Sequence, residues 1–217
     1  MPAAPGPDRS PPRWAAAGLI VGPLAFVGAW AVGGALVDGY SPVHDAISRL
    51  AADGAPWRPL MTAGFLVYGG AVVVGSRAIA AAGLGLSAAA LVVNGLATVA
   101  VAATPLDRSG LTDGLHAVAA MVGYVSIIAV PALAVGPLRR HGQRSLAIAS
   151  AVASAVSATC LVATTVSDAD GLLQRLGLGA GDVWLVGAGI ALLSGPGALS
   201  GLADRGALLR WWTQRGP

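Results

Sequence analysis

The sequence has no lysine and no glutamate, so all 13 basic side chains are arginine and all 10 acids are aspartate. Charged residues make up only 11% of the chain, against about a quarter in a soluble domain. Without lysine there is no Gly-x-x-x-x-Gly-Lys phosphate loop, and without glutamate no His-Glu-x-x-His metalloprotease helix. No Gly-x-Ser-x-Gly nucleophile elbow occurs either. The glycine runs at 83–85 and 177–181 complete no dinucleotide fingerprint. The single cysteine, Cys160, lies in an apolar run, which excludes an intrachain disulfide and points to a small core residue. The net charge of +3 sits in no basic patch interleaved with aromatics, so no nucleic-acid partner is expected.

What is abundant is apolar. Hydrophobic residues are 55% of the chain and glycine contributes 31 positions. Six runs approach or exceed the roughly 20 residues that cross a bilayer: 14–37, 59–76, 79–104, 113–137, 145–166 and 182–203. The expectation is an all-α, polytopic membrane bundle of six transmembrane helices. Residues 1–13, with five prolines, read as a disordered tail, 14–203 as the membrane domain and 204–217 as a second tail. Gly18 with Gly22, and Gly197 with Gly201, have the spacing of close helix crossings. Pro23, Pro131 and Pro196 fall inside spans, and Trp14, Trp57, Trp184, Trp211 and Trp212 read as interface anchors.

The arginines give the bundle a direction. Arg9, Arg13, Arg77, Arg139, Arg140, Arg144, Arg205, Arg210 and Arg215 share the side of the tails and even loops, leaving four on the other side. The positive-inside rule then puts both termini in the cytoplasm. Eight of the ten aspartates sort the opposite way, which makes the outer face acidic.

The candidate chemistry lies on that face. Ser41 as N-cap and Pro42 at the first helical position predict a short interfacial helix in the first outer loop. On such a helix His44 would share a face with Ser48, and Asp45 with Arg49. In the second outer loop Thr112 is the expected N-cap of the fourth span, placing His116 one turn inside with Asp107 or Asp113 as its partner. Asn94 falls about 15 Å from the outer end of the third span, suited to an interhelical hydrogen bond or a ligand contact. The third outer loop runs from Ser167 to Asp182 and carries Gln174 and Arg175, which suit a carbonyl or phosphate. Alternatively Arg175 pairs with Asp168 or Asp170. With Asp182 at the mouth of the sixth span, no ionisable group is expected at the centre of any span. A metal site would have to be assembled from His44, His116 and nearby aspartates, at no diagnostic spacing. Cofactor content is open.

Three segments carry a family resemblance: Ser41-Pro-Val-His-Asp-Ala-Ile-Ser-Arg-Leu50, Thr104-Pro-Leu-Asp107 leading to His116, and Gly171-Leu-Leu-Gln-Arg175. With the six-span layout they resemble the bacterial integral-membrane family catalogued as domain of unknown function 998, over about 14–203. The resemblance implies a multi-pass protein of the bacterial cytoplasmic (inner) membrane. It makes Ser48, Asp107, His116 and Arg175 the positions to watch. Gln174 departs from the acid found at its place in many relatives, and the family brings no assigned reaction.

Three functions fit these residues. The first is a membrane enzyme acting on a lipid or isoprenoid-like substrate at the outer face. There His116, Asp107, His44, Asp45 and Ser48 would do the chemistry, and Arg49, Arg175, Gln174 and Asn94 would hold the substrate. The second is a small-molecule transporter, against which the lack of a mid-span charge counts. The third is a structural or partner-binding subunit whose Asp–Arg pairs brace loops. The enzyme reading requires His44, Asp45, Asp107, His116 and Arg175 to surround one cavity.

Overall fold

Lipid offers the backbone no hydrogen-bonding partner, so an apolar span must satisfy its own amides as a helix. The computed structural model describes residues 13–194, and they follow this rule. The helices are α1 (Arg13–Leu36), α2 (Arg58–Ala81), α3 (Gly85–Ala103), α4 (Gly110–Arg140), α5 (Arg144–Ala163) and α6 (Asp170–Ser194). All six are long and apolar enough to cross a membrane, and no strand occurs among the described residues. The tails expected at 1–13 and 204–217 lie outside the described residues, apart from Arg13, which is the first residue of α1; Pro196, Gly197, Gly201, Trp211 and Trp212 lie outside them too.

Each helix packs against its neighbour in the chain, and α1 closes on α6 to complete a ring. A further contact between α4 and α6 leaves α5 towards the outside, and its span is the least buried of the six. Leu19, Met61, Val72, Leu91, Val130 and Leu185 fill the interior. Leu24, Leu96, Val118, Val125, Val183 and Ile190 are exposed. A surface of large apolar side chains on every helix is what a lipid solvent requires, and the chain is a multi-pass membrane protein.

Glycine sets how closely the helices approach. Gly18 and Gly22 on α1 lie against the backbone of α2 at Ala71 and Tyr68, as the spacing predicts. At the α2–α3 crossing Gly69 and Gly95 face each other. A Cβ on Gly95 would stand 2.6 Å from the Gly69 carbonyl oxygen and 2.7 Å from Val73 Cγ2. A backbone oxygen cannot turn aside, so Gly95→Val must push the helices apart. We expect it to cost at least about 1–3 kcal/mol, read as a lower unfolding temperature in detergent. Gly70→Ala, one residue from the crossing and with open space around it, should leave that temperature unchanged.

The sixth span differs from its expected position. It begins at Asp170 rather than Asp182, so the segment read as a glycine-spaced loop is helix. Its glycines are contact points. A Cβ on Gly171 would run into the Asp45 backbone, one on Gly177 would stand 2.6 Å from Leu161 Cγ of α5, one on Gly181 would run into Ile127 of α4, and one on Gly189 would stand 2.9 Å from Ile20 Cγ1 of α1. Small residues let α6 press on four neighbours, and that packing outweighs their poor helix propensity. Trp184 is therefore no interface anchor: inside α6, it donates from Nε1 to Ser150 Oγ of α5 at 2.8 Å. Trp14 is exposed near the start of α1, with the Arg77 guanidinium 5.8 Å from its ring centre.

The first odd loop also departs from expectation. Ser41 to Asp45 form a turn closed by Asp45 N–H to Ser41 O at 2.7 Å, and the helix that follows is a single 3-10 segment, Ile47–Ala51. Ala46 precedes it, not Ser41. Ile47 and Leu50 are almost fully buried, so the segment plugs the end of the ring between α1, α2 and α6. An apolar Ile47/Leu50/Ala51 cluster gains more by filling the ring than by lying across its rim.

Candidate functional site

The plug and the ring enclose a cavity of about 70 Å³. Its roof is Ile47 and Ser48. Its walls include Phe26, Phe65, Tyr68, Asn94, Thr98, His116, Tyr124, Gln174 and Asp182, drawn from every helix except α5. The ring geometry explains the set. Tyr68, Asn94 and Asp182 are each about 13–18 Å along their helices from the plugged end, and all three are buried.

Asp182 is the residue that changes the picture. It stands twelve residues after the start of α6 and twelve before Ser194, the last described residue, is 5% exposed and lines the cavity. The expectation of no ionisable group at mid-span is thereby overturned. Its polar neighbour is the Tyr68 hydroxyl. That hydroxyl has one proton, which goes to Asn94 Oδ1 at 2.9 Å, so the carboxyl oxygens of Asp182 retain acceptor capacity. Among the described residues no arginine lines the cavity, and His116 is the only lining residue that could carry positive charge.

Asn94 makes the interhelical bond its position suggests. Its Nδ2 donates to Gly123 O at 2.9 Å and Ser126 Oγ at 3.3 Å, so with Tyr68 it ties α2, α3 and α4 together. Gln174 is equally committed. Its Oε1 accepts from Ile47 N–H at 2.8 Å, which holds the plug, and its Nε2 donates to the Tyr124 hydroxyl at 2.5 Å. Tyr124 thus accepts with its oxygen and keeps its own proton to offer.

His116 is buried near the start of α4. The N-cap of α4 is Ser109, whose hydroxyl accepts from Thr112 N–H at 3.2 Å, so the cap lies three residues before the expected one. The partner of His116 is neither Asp107 nor Asp113 but the Thr104 carbonyl, 2.7 Å from Nδ1. A carbonyl only accepts, so Nδ1 carries the proton. The neutral ring then has a bare lone pair on Nε2, which meets no protein group among the described residues. Such a nitrogen can take a proton or a hydrogen bond from a bound molecule.

The other expected site residues lie elsewhere. Asp107, at positive φ, pairs with Arg49 through two bonds of 2.9 and 3.0 Å, each side chain more than half exposed. Asp45 accepts from Ser41 N–H at 2.7 Å and does not pair with Arg49. His44 Nδ1 meets the Asp168 carbonyl at 2.7 Å and shares no helix face with Ser48. Arg175 pairs with neither Asp168 nor Asp170. Its Nη1 donates to the carbonyls of Pro42 at 2.8 Å, Asp45 at 3.0 Å and Gly171 at 2.7 Å. Its Nη2 meets the Tyr40 hydroxyl, and Trp30 and Tyr40 flank the guanidinium at 5.2 and 5.5 Å. Burial raises the Tyr40 hydroxyl above its ordinary pKa, and Arg175 partly offsets this. Asp53 bonds Arg58 and Arg108; the Arg108 bond is the largest influence holding it below the usual carboxylate range.

Of the nine residues nominated from sequence, Ser48, Asn94, His116 and Gln174 meet at the cavity. His44, Asp45, Arg49, Asp107 and Arg175 do not. Among the described residues no three His, Cys or Asp side chains gather as a metal site. Tyr68, Thr98, Tyr124 and Asp182 were not anticipated. The signal for Asp182 lay in Leu172, Leu173, Leu176 and Leu178, whose spacing continues the sixth helix backwards past it.

Among known proteins, the family model described as "Protein of unknown function (DUF998)" matches residues 20–191. No curated protein and no solved structure matches.

Proposed function

The chain belongs to the DUF998 family of unknown function, and from that premise we propose that it binds a small cation in the central cavity and passes it across the membrane. The observation that carries this reading is Asp182, a carboxyl deep in its span in a cavity lined by no arginine among the described residues. Ionisable side chains inside a membrane are costly and recur along ion and substrate paths. Transporter sites sit near the bilayer midplane, where different helices supply the ligating groups. Here Asp182 supplies the charge, the oxygens of Tyr68, Ser48 and Thr98 further acceptors, and the faces of Phe26 and Phe65 a surface a cation tolerates.

Size narrows the class. A water needs about 10–15 Å³ of such volume, so about 70 Å³ holds a handful of waters or one small solute. An inorganic monovalent ion, ammonium or a short alkylammonium fits, and an isoprenoid chain does not. By the arginine distribution, the end carrying Arg13, Arg77, Arg139, Arg140 and Arg144 is cytoplasmic. The plugged end then faces out of a bacterial inner membrane.

A membrane-embedded enzyme is the second reading, favoured by the bare Nε2 of His116 beside Ser48 and Tyr124. The separation of Asp107, His44 and Asp45 from His116 weighs against it. Proteoliposome flux of ammonium, methylammonium and rubidium separates the two. Purified protein should carry at least one of these above empty vesicles. Absence of flux for all three, with a lipid-derived substrate turned over by wild type and not by His116→Ala, would replace the first reading with the second.

A further inference from the structure

At the arginine-rich end, α4 and α5 are joined by three residues, His141 to Gln143, with Gly142 at φ +74°. This tight turn sets the last turn of α4 beside the first turn of α5. Arg139 and Arg144 flank a groove of about 530 Å³ whose remaining walls are Val135, Ala147, Ile148 and Ala151. Ala147 and Ala151, one helical turn apart, are small and leave the space; Ile148, 65% exposed, forms an apolar edge.

We propose that this groove holds one anionic phospholipid from the surrounding bilayer, its phosphodiester between Arg139 and Arg144 and one acyl chain along Val135 and Ile148. Charge complementarity selects the occupant. Neither arginine takes part in an ion pair among the described residues. The described aspartates lie at the opposite end of the ring or, for Asp182, at mid-span. Two guanidiniums can fork a phosphate. The apolar walls favour a lipid over free phosphate, which would leave them uncovered. The site is separate from the central cavity, and its occupancy does not depend on what that cavity carries.

The test is native mass spectrometry of the delipidated full chain with phosphatidylglycerol and phosphatidylcholine of identical acyl chains. Wild type should retain phosphatidylglycerol about tenfold or more above phosphatidylcholine. Arg139→Gln/Arg144→Gln should bring the two lipids level. Arg49→Gln, at the other end of the molecule, should keep the preference. Equal retention by wild type overturns the proposal, as does a preference that survives in the double variant. Complete displacement of the lipid by excess inorganic phosphate overturns the lipid assignment. Should the double variant fail to fold, Arg139→Gln and Arg144→Gln singly should each lower the ratio, and two unchanged ratios count against the site.

Discussion

Asp182→Asn should abolish cation flux in proteoliposomes and leave the protein folded. The substitution keeps the shape of the side chain and its reach towards the Tyr68 hydroxyl, and it removes the only carboxyl lining the cavity among the described residues. Flux should fall at least about tenfold, the effect of losing some 1.4 kcal/mol of binding, and in practice to the level of empty vesicles. Unfolding temperature should hold or rise, since a buried charge without a salt-bridge partner costs stability. Asp182→Glu should retain flux with altered preference among ammonium, methylammonium and rubidium, because the carboxyl moves by about one methylene into a space of about 70 Å³. Wild-type flux in Asp182→Asn would end the transport reading. A variant that is misfolded as well as inactive would make Asp182 a structural residue, and Asp182→Glu then decides which.

Arg175→Ala has the largest expected effect on stability, about 3–5 kcal/mol. Three carbonyls, of Pro42, Asp45 and Gly171, lose a charged donor together. Trp30 and Tyr40 lose the cation between them. The bonds are not additive: those to Pro42, Asp45 and Tyr40 fasten the 40–46 segment to α6, while the one to Gly171 stays within α6. Hydrogen exchange should therefore rise first in the turn at 41–45 and at Leu172 N–H, which donates to Val43 O at 2.9 Å. Arg175→Lys should recover part of the loss, since lysine can reach a carbonyl but lacks the planar fork and the stacking face. An unchanged unfolding temperature in Arg175→Ala would show that the clamp is dispensable, and Arg175 would again be open to a substrate role.

The exposed charge pairs carry a different weight. Arg49 with Asp107, and Asp53 with Arg58 and Arg108, tie the first odd loop to the second and to the start of α2. Exposed pairs are each worth little. They brace loops, which is the role the structural reading gave them.

Much of this molecule is legible in local properties. Hydropathy sums over a window without reference to neighbours, so the first five spans stand near their expected places, except that α2 runs on to Ala81 and α3 begins at Gly85 rather than at 79. Asn94 was legible for a related reason, since an amide that deep in an apolar helix must find a partner. His116 was placed correctly near the plugged end, but its partner was not. Asp107 is near it in the chain, yet the left-handed turn at Asp107 and the early cap at Ser109 turn that carboxyl out towards Arg49.

The sequence by itself determined a membrane protein of six helices, with arginines sorted to one end and polar loops to the other. These follow from composition and from hydrophobic length, which each segment carries alone. Only the tertiary structure decided that Gly171, Gly177, Gly181 and Gly189 are contacts of a sixth helix rather than a loop. With that helix extended back to Asp170, Asp182 moves from the mouth to twelve residues inside the span and faces the central cavity of a closed ring. Which face a helix turns inward depends on the surfaces of its neighbours, and no local sum contains them.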